Sequence, residues 1–181
     1  MSNANAPFAG YEQLDPMVIT DNFIKRIGKD WLLVTAGTKE SYNTMTVSWG
    51  AIGYIWNKPA AFSFIRNTRY TYEFLQREES YTLSFFGGEY KKALGVCGSQ
   101  SGRDTNKVAD AGLTGMELPS GLMSFAEATL IIECRKMFIT KMNWEGFLDS
   151  YKETMIQQWY TKDTAKHDLF VSEIVGVWAK I

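Results

Sequence analysis

The stretch from Asn43 to Thr71 holds the densest run of residues able to do chemistry. It reads NTMTVSWG, AIGYIWNKPAAFSFI and RNTRYT: two β-like runs, polar at either end, with Lys58-Pro59 marking the turn between them. Asn43, Thr44, Met45, Thr46 and Trp49 place an amide, two hydroxyls, a thioether and a large ring on one short platform. Such a platform suits a flat ligand with a polar tail. Arg66, Thr68, Arg69, Tyr70 and Thr71 then lead into a helical pattern, where free backbone N–H groups and the helix dipole favour an anion. Arg66 can grip two anionic oxygens at once through its planar fork. Thr71 or Thr68 can alternatively serve as an ordinary helix cap, with the arginines in a solvated turn.

Strands must carry that platform. Segments 31–37, 45–56, 60–65, 80–86, 128–140 and 169–180 are rich in β-branched and aromatic residues and are predicted strands. Helical patterns fall at 71–79, 89–98 and 145–160. Strands interspersed with helices can build a parallel doubly wound sheet, but the GxGxxG and GxxxxGK[ST] turns of such sheets are absent from the sequence. Strands 45–56 and 60–65 are joined by a few residues around Asn57-Lys58-Pro59, a connection that permits only an antiparallel hairpin. The expected fold is therefore mainly β, an antiparallel barrel with short helices packed outside it.

At 181 residues the chain has the length of one domain, taken here as 17–181, with 1–16 as a flexible N-terminal arm. That arm is small and polar, with Pro7 and Pro16, and lacks the regions of a signal peptide. Nineteen basic residues against twenty acidic ones argue against a nucleic-acid or anionic-membrane partner, and no apolar run is long enough to cross a bilayer. A small molecule or a second copy of the chain is the expected partner. Cys97 and Cys134 form no CxxC or Cys/His spacing, so neither a disulfide framework nor a metal site is expected, and a reducing, cytoplasmic setting fits. Both read as core thiols.

N-x-M-T-x-S-W-G at 43–50, K-P at 58–59, R-x-T-R-Y-T at 66–71 and S-G-R-D-x-x-K at 101–107 occur in an order and spacing that resembles the flavin reductase-like family of FMN-binding proteins, flavoredoxins included. The resemblance runs from about Trp31 to Trp178. It implies a split β-barrel, a homodimer, FMN (or FAD) held near the subunit interface, and NADH or NADPH as reductant. It also implies roles. Asn43 to Trp49 would meet the flavin ring and ribityl chain, and Arg66 to Thr71 the phosphate. Ser101, Gly102 and Lys107 would stand near the ribityl chain or phosphate, although taken alone that segment reads as a surface loop. His167, the only histidine, and Phe170 would lie near the flavin or nicotinamide; a lone histidine at a strand end is otherwise structural.

Hydride transfer needs proximity and stacking rather than a strong acid or base, so the lack of a catalytic triad does not speak against an enzyme. Three readings follow: an NAD(P)H-dependent flavin reductase, a flavoredoxin-like carrier that holds FMN and takes electrons from a protein, and a β-barrel for some other planar ligand. The helix at 145–160, with Phe147, Leu148, Tyr151, Met155 and Trp159 at helical spacing, reads as a packing face that covers the cleft or extends a dimer interface.

Overall fold

The hairpins set the architecture. In the computed structural model, which describes residues 8–160 and 166–181, the strands are β1 (Tyr11–Gln13), β2 (Leu32–Thr38), β3 (Ser41–Val47), β4 (Gly50–Ile55), β5 (Lys58–Arg66), β6 (Ser80–Phe85), β7 (Gly115–Glu117), β8 (Met123–Phe125), β9 (Leu130–Lys141) and β10 (His167–Lys180). Five helices accompany them: α1 (Phe23–Lys25), α2 (Tyr70–Arg77), α3 (Lys91–Ser99), α4 (Lys107–Asp110) and α5 (Asp149–Trp159). The main sheet runs β3-β2-β6-β9-β10-β5-β4, with β1 added on β10, and every pairing is antiparallel. Its two ends, β3 and β4, are joined by Ser48 and Trp49 alone. A connection of that length forces the sheet to curl until its ends meet, which makes the expected split barrel.

Trp49 owes its position to this break. The run 45–56, expected as one strand, is two strands interrupted at Ser48-Trp49, because one continuous extended segment could not serve both edges of the curled sheet. The β4–β5 turn is likewise displaced from Lys58-Pro59 to Trp56-Asn57, both at positive φ (50° and 59°), as a two-residue hairpin requires. Lys58 and Pro59 open β5, one step before its ladder with β10 begins at Ala60, so the missing Pro N–H costs that ladder nothing.

Alternation along the strands divides the buried side chains between two faces. Leu32, Val34, Met45, Ile65, Ile132 and Phe170 pack inside the curl, while Leu33, Leu94, Cys97, Phe125, Ile131 and Trp178 form a second core beneath α3, α4 and the β7–β8 hairpin. Both cysteines are buried free thiols in these cores. Part of the expected flexible arm is in fact fixed. Tyr11 to Gln13 pair with Trp178 to Lys180, and the buried Tyr11 hydroxyl donates to the Ala128 carbonyl at 2.6 Å. An aromatic with a carbonyl partner buries well, which the small polar residues around it conceal; residues 1–7 of the arm lie outside the described residues.

Helix α5 is loosely packed. Leu148 just before it and Tyr151 within it are exposed at 73% and 59%, whereas Trp159, 43% exposed, meets the Trp49 ring with centroids 5.1 Å apart, so the C-terminal end of the helix reaches the barrel. No residue between Asp149 and Trp159 is buried. Among the described residues, no helix is long and apolar enough to cross a membrane.

Candidate functional site

Three cavities meet at Arg69. The first, about 350 Å³, is walled by Met45, Thr46, Trp49, Phe64, Trp159 and His167 and also lined by Val47, Ser48, Arg66, Thr68 and Arg69. The second, about 200 Å³, is lined by Thr68, Arg69, Tyr70, Ser99, Gln100, Ser101 and Lys107. The third, about 330 Å³, lies between Trp31, the segment Thr46 to Ser48, Arg69 and the α3 residues Leu94, Gly95, Gly98 and Ser99. Arg69 lines all three, which makes them arms of one groove.

The first arm has aromatic walls and two cations. Trp49 stands edge-on to Trp159, with ring centroids 5.1 Å apart, and lies 4.7 Å from the imidazole of His167. Phe64 reaches the same arm because alternation along β5 points Ala61, Ser63 and Ile65 inward and leaves Phe64 on the outer face. Arg66 is the cross-strand partner of His167, and its Nη2 donates to the Trp159 carbonyl at 3.3 Å. Among the described residues, neither Arg66 nor Arg69 takes part in an ion pair and no carboxylate lines this arm.

The second arm is the cationic one. Lys107 is only 3% exposed, and its ammonium has two long contacts at 3.5 Å, to the carbonyls of Cys97 and Gln100. Burial, helped by the nearby Arg69 charge, pulls its pKa down to about 8. Arg69 Nη2 donates to the same Cys97 carbonyl at 3.2 Å, leaving the rest of its fork for other partners. Burial and the neighbouring Arg66 lower the Arg69 pKa from its ordinary value. Helix α2 starts at Tyr70, which lines this arm, with Arg69 as its N-cap residue and no side-chain cap; the Tyr72 N–H donates to the Arg69 carbonyl at 2.9 Å. Two cations, with no acid in the lining among the described residues, suit a phosphate.

The expected site residues separate by these arms. Met45, Thr46, Trp49, Arg66 and His167 gather in the first, Tyr70, Ser101 and Lys107 in the second, and Thr68 and Arg69 in both. Lys107 therefore shares its arm with Arg69 and not with Arg66. Five expected ligands, Asn43, Thr44, Thr71, Gly102 and Phe170, stand outside these arms. Thr44, on the same strand face as Thr46, is fully buried further along β3, its hydroxyl donating to the Val34 carbonyl at 3.1 Å and lying 2.9 Å from the Thr35 hydroxyl. Phe170 lies in the core inside the curl. Asn43 donates through Nδ2 to the Thr71 hydroxyl at 2.7 Å, so the two satisfy each other. Gly102 packs directly against the Asn43 amide, so the close approach it permits serves this contact. Asn43 and Gly102 line a fourth hollow, about 330 Å³, with Tyr42, Asn106 and the same Lys107 that lines the second arm.

Phe64, Trp31, Gly95 and Gly98 were not foreseen as site residues. Of these, only the paired glycines in a helical pattern left a trace in the sequence, since each weakens a helix by roughly 0.5–1 kcal/mol relative to Ala.

His167 is 7% exposed, and its Nδ1 has no hydrogen-bond partner among the described residues. Burial first, then the Arg66 charge, push its pKa down from 6.5 to about 4, with Asp168 opposing, so at neutral pH the ring is uncharged. The unfolded chain therefore binds more protons than the folded one between those values, and folding stability must fall as pH drops through about 6.5, levelling off below about 4. From about pH 7 to about pH 5 the loss is on the order of 2 kcal/mol. His167→Gln should remove this slope in urea unfolding, and an unchanged slope in the variant would refute the assignment.

Residues 24–180 match the family described as flavin reductase like domain. The chain belongs to the flavin reductase-like family. No curated protein matches its sequence. Solved structures similar to this flavin reductase-like chain include the FMN-binding domain of a flavin reductases-like enzyme from Shewanella baltica OS155, with 16% identity, 98% of this chain and 78% of that chain covered, and TM-score 0.66. A flavoredoxin from Methanosarcina acetivorans is 19% identical over 83% of this chain and 68% of that one, with TM-score 0.63. An NADH:FAD oxidoreductase from Streptomyces globisporus C-1027 is 13% identical over 82% and 74%, with TM-score 0.60. At these identities the likeness concerns the fold, and the flavin reductase-like groove has to be argued from its own residues.

Proposed function

We propose that the protein binds FMN in the groove around Arg69 and reduces it with NADH or NADPH. The observation that carries this reading is the placement of Arg69, with an aromatic arm on one side and, on the other, a cationic arm that no acid lines among the described residues. The flat ring belongs between Trp49, Phe64 and the Met45 to Ser48 segment, and the phosphate among Arg69, Lys107 and the start of α2. When bound, the flavin supplies a hydride acceptor that no protein side chain offers. The protein's own residues orient it and exclude water. His167, neutral and tilted 39° to the Trp49 ring, supplies a contact for a second planar ring without taking part in proton transfer.

The carrier reading also has support, since Trp159 packs against Trp49 across the first arm and narrows the room for a nicotinamide. A second copy of the chain is the proposed partner. Trp56 and Phe138 are 56% and 49% exposed with ring centroids 6.1 Å apart, an exposed apolar pair of the kind interfaces cover. Light scattering that gives the mass of a monomer would remove the dimer.

Two measurements decide among the readings. The untreated protein, or the protein titrated with FMN, should show the flavin absorption bands; no spectral uptake of FMN would leave only a barrel for some other ligand. Consumption of NADH or NADPH when FMN is added then identifies a reductase, whereas bound FMN with no nicotinamide oxidation identifies a carrier.

A further inference from the structure

Between β9 and β10 the chain leaves the barrel, and Tyr160 pins it on its return. The Tyr160 side chain is buried, with its ring centroid 5.7 Å from that of His167, 6.0 Å from that of Trp144 and 6.5 Å from that of Phe147. Its hydroxyl donates to Met142 Sδ at 3.8 Å. The Met142 N–H in turn donates to the His167 carbonyl at 3.0 Å, which ties the start of the excursion to the same strand end. Helix α5, between these fixed points, buries no residue of its own.

Trp159, one residue before the pin, carries α5 into the first arm. Its ring meets Trp49 edge-on, at 85° and 5.1 Å, while the His167 imidazole lies 4.7 Å from the same Trp49 ring. The Trp159 carbonyl accepts from Arg66 at 3.3 Å, and Arg66 is the cross-strand partner of His167. Trp159, Trp49, Arg66 and His167 therefore bound one corner of the arm, the place where a second planar ring would meet His167. The hold on that corner is light. It consists of one edge-to-face pair and one solvent-exposed hydrogen bond, and releasing them uncovers no buried residue of α5. Trp159 is free to turn outward while Tyr160 stays packed.

We propose that Trp159 is a gate for the hydride donor: closed on Trp49 it fills the corner beside His167, and turned outward it admits the dihydronicotinamide ring. The proposal rests on the flavin reading of the first two arms. It also joins the reductase and carrier readings, because a closed gate leaves a protein that holds FMN and shuts out the donor, and an open gate leaves a reductase. The apparent affinity for the donor is lowered by the fraction of molecules that are open. Affinity for FMN is not, since the contacts assigned to its phosphate lie in the second arm, which Trp159 does not line.

Trp159→Ala removes the gate, Trp159→Phe keeps a smaller ring edge against Trp49, and Tyr151→Ala, at an exposed position of the same helix, is the control. FMN affinity is read by flavin fluorescence. The FMN-loaded proteins are then titrated calorimetrically with tetrahydro-NADH, an unreactive analogue of the donor, so the result does not depend on turnover. In the alanine variant the analogue should bind about 10-fold more tightly, equivalent to about 1.4 kcal/mol, with FMN affinity within about 3-fold of wild type. The phenylalanine variant should fall between, and Tyr151→Ala should match wild type. Where NADH is oxidised, its KM should fall in the same order with kcat little changed. Analogue binding that is unchanged, absent or weaker in Trp159→Ala would overturn the gate, the last by making Trp159 part of the donor's own site. A loss of FMN affinity of 10-fold or more would overturn it too, by placing Trp159 against the flavin. Wild-type protein that takes up no FMN would remove the flavin reading itself, and the gate with it.

Discussion

Arg69→Ala is expected to weaken FMN binding by roughly 10- to 100-fold while changing riboflavin binding by less than about 3-fold. A hydrogen bond to a charged group contributes about 1.5–3 kcal/mol, and only FMN carries the phosphate that Arg69 would contact. The fold should tolerate the change. The Cys97 carbonyl keeps the Lys107 ammonium when Arg69 is removed, so no buried acceptor is stranded. Isothermal titration with both ligands measures the difference. Equal losses for FMN and riboflavin would take Arg69 out of the phosphate site, and a loss for FMN in Arg66→Ala larger than in Arg69→Ala would move that site into the first arm.

Gly37→Ala should destabilise the protein by about 3 kcal/mol, a drop in Tm of roughly 6–12 °C. Gly37 closes the β2–β3 hairpin at φ +112°, a conformation an L side chain rarely adopts, and a Cβ there would run into the Ser41 carbonyl and the Tyr42 Cα. Both obstacles are backbone, so nothing flexible can move aside. β3 carries Met45 and Thr46 into the groove, so the flavin-binding surface should be disturbed along with the fold. A Tm within a degree or two of wild type would show that the hairpin relaxes freely.

The sheet itself was legible in the chain. Its strands announce themselves by β-branched and aromatic runs, and the short link after Ile55 could only be a hairpin. Tyr11 to Gln13, Gly115 to Glu117 and Met123 to Phe125 were not legible, because a three-residue strand has no periodicity to read and is fixed by the partner it finds. The break at Ser48-Trp49 escaped for a related reason. Locally the segment is one good strand, and only closure of the sheet interrupts it.

Within the site, residue types were readable and neighbours were not. Asn43 and Thr71 are 28 positions apart and both looked like ligands; in the fold they satisfy each other, and burial makes that bond worth keeping. In the sequence Arg66 stood out as the anion-gripping cation, with Arg69 beside it. The three-residue offset across the end of β5 and the start of α2 sends one toward Trp159 and the other into all three arms.

By itself, then, the sequence determined a mainly antiparallel barrel of the flavin reductase-like family and a region, Asn43 to Lys107, rich in groups suited to a flat anionic ligand. Tertiary structure decided which of those groups face the groove, that Arg69 rather than Arg66 stands beside Lys107, and that Gly95 and Trp31 frame a third arm. The physical reason is that alternation and propensity act over a few residues, whereas a site is made where distant strands and helices are packed together, and burial selects which polar groups pair inward and which remain open.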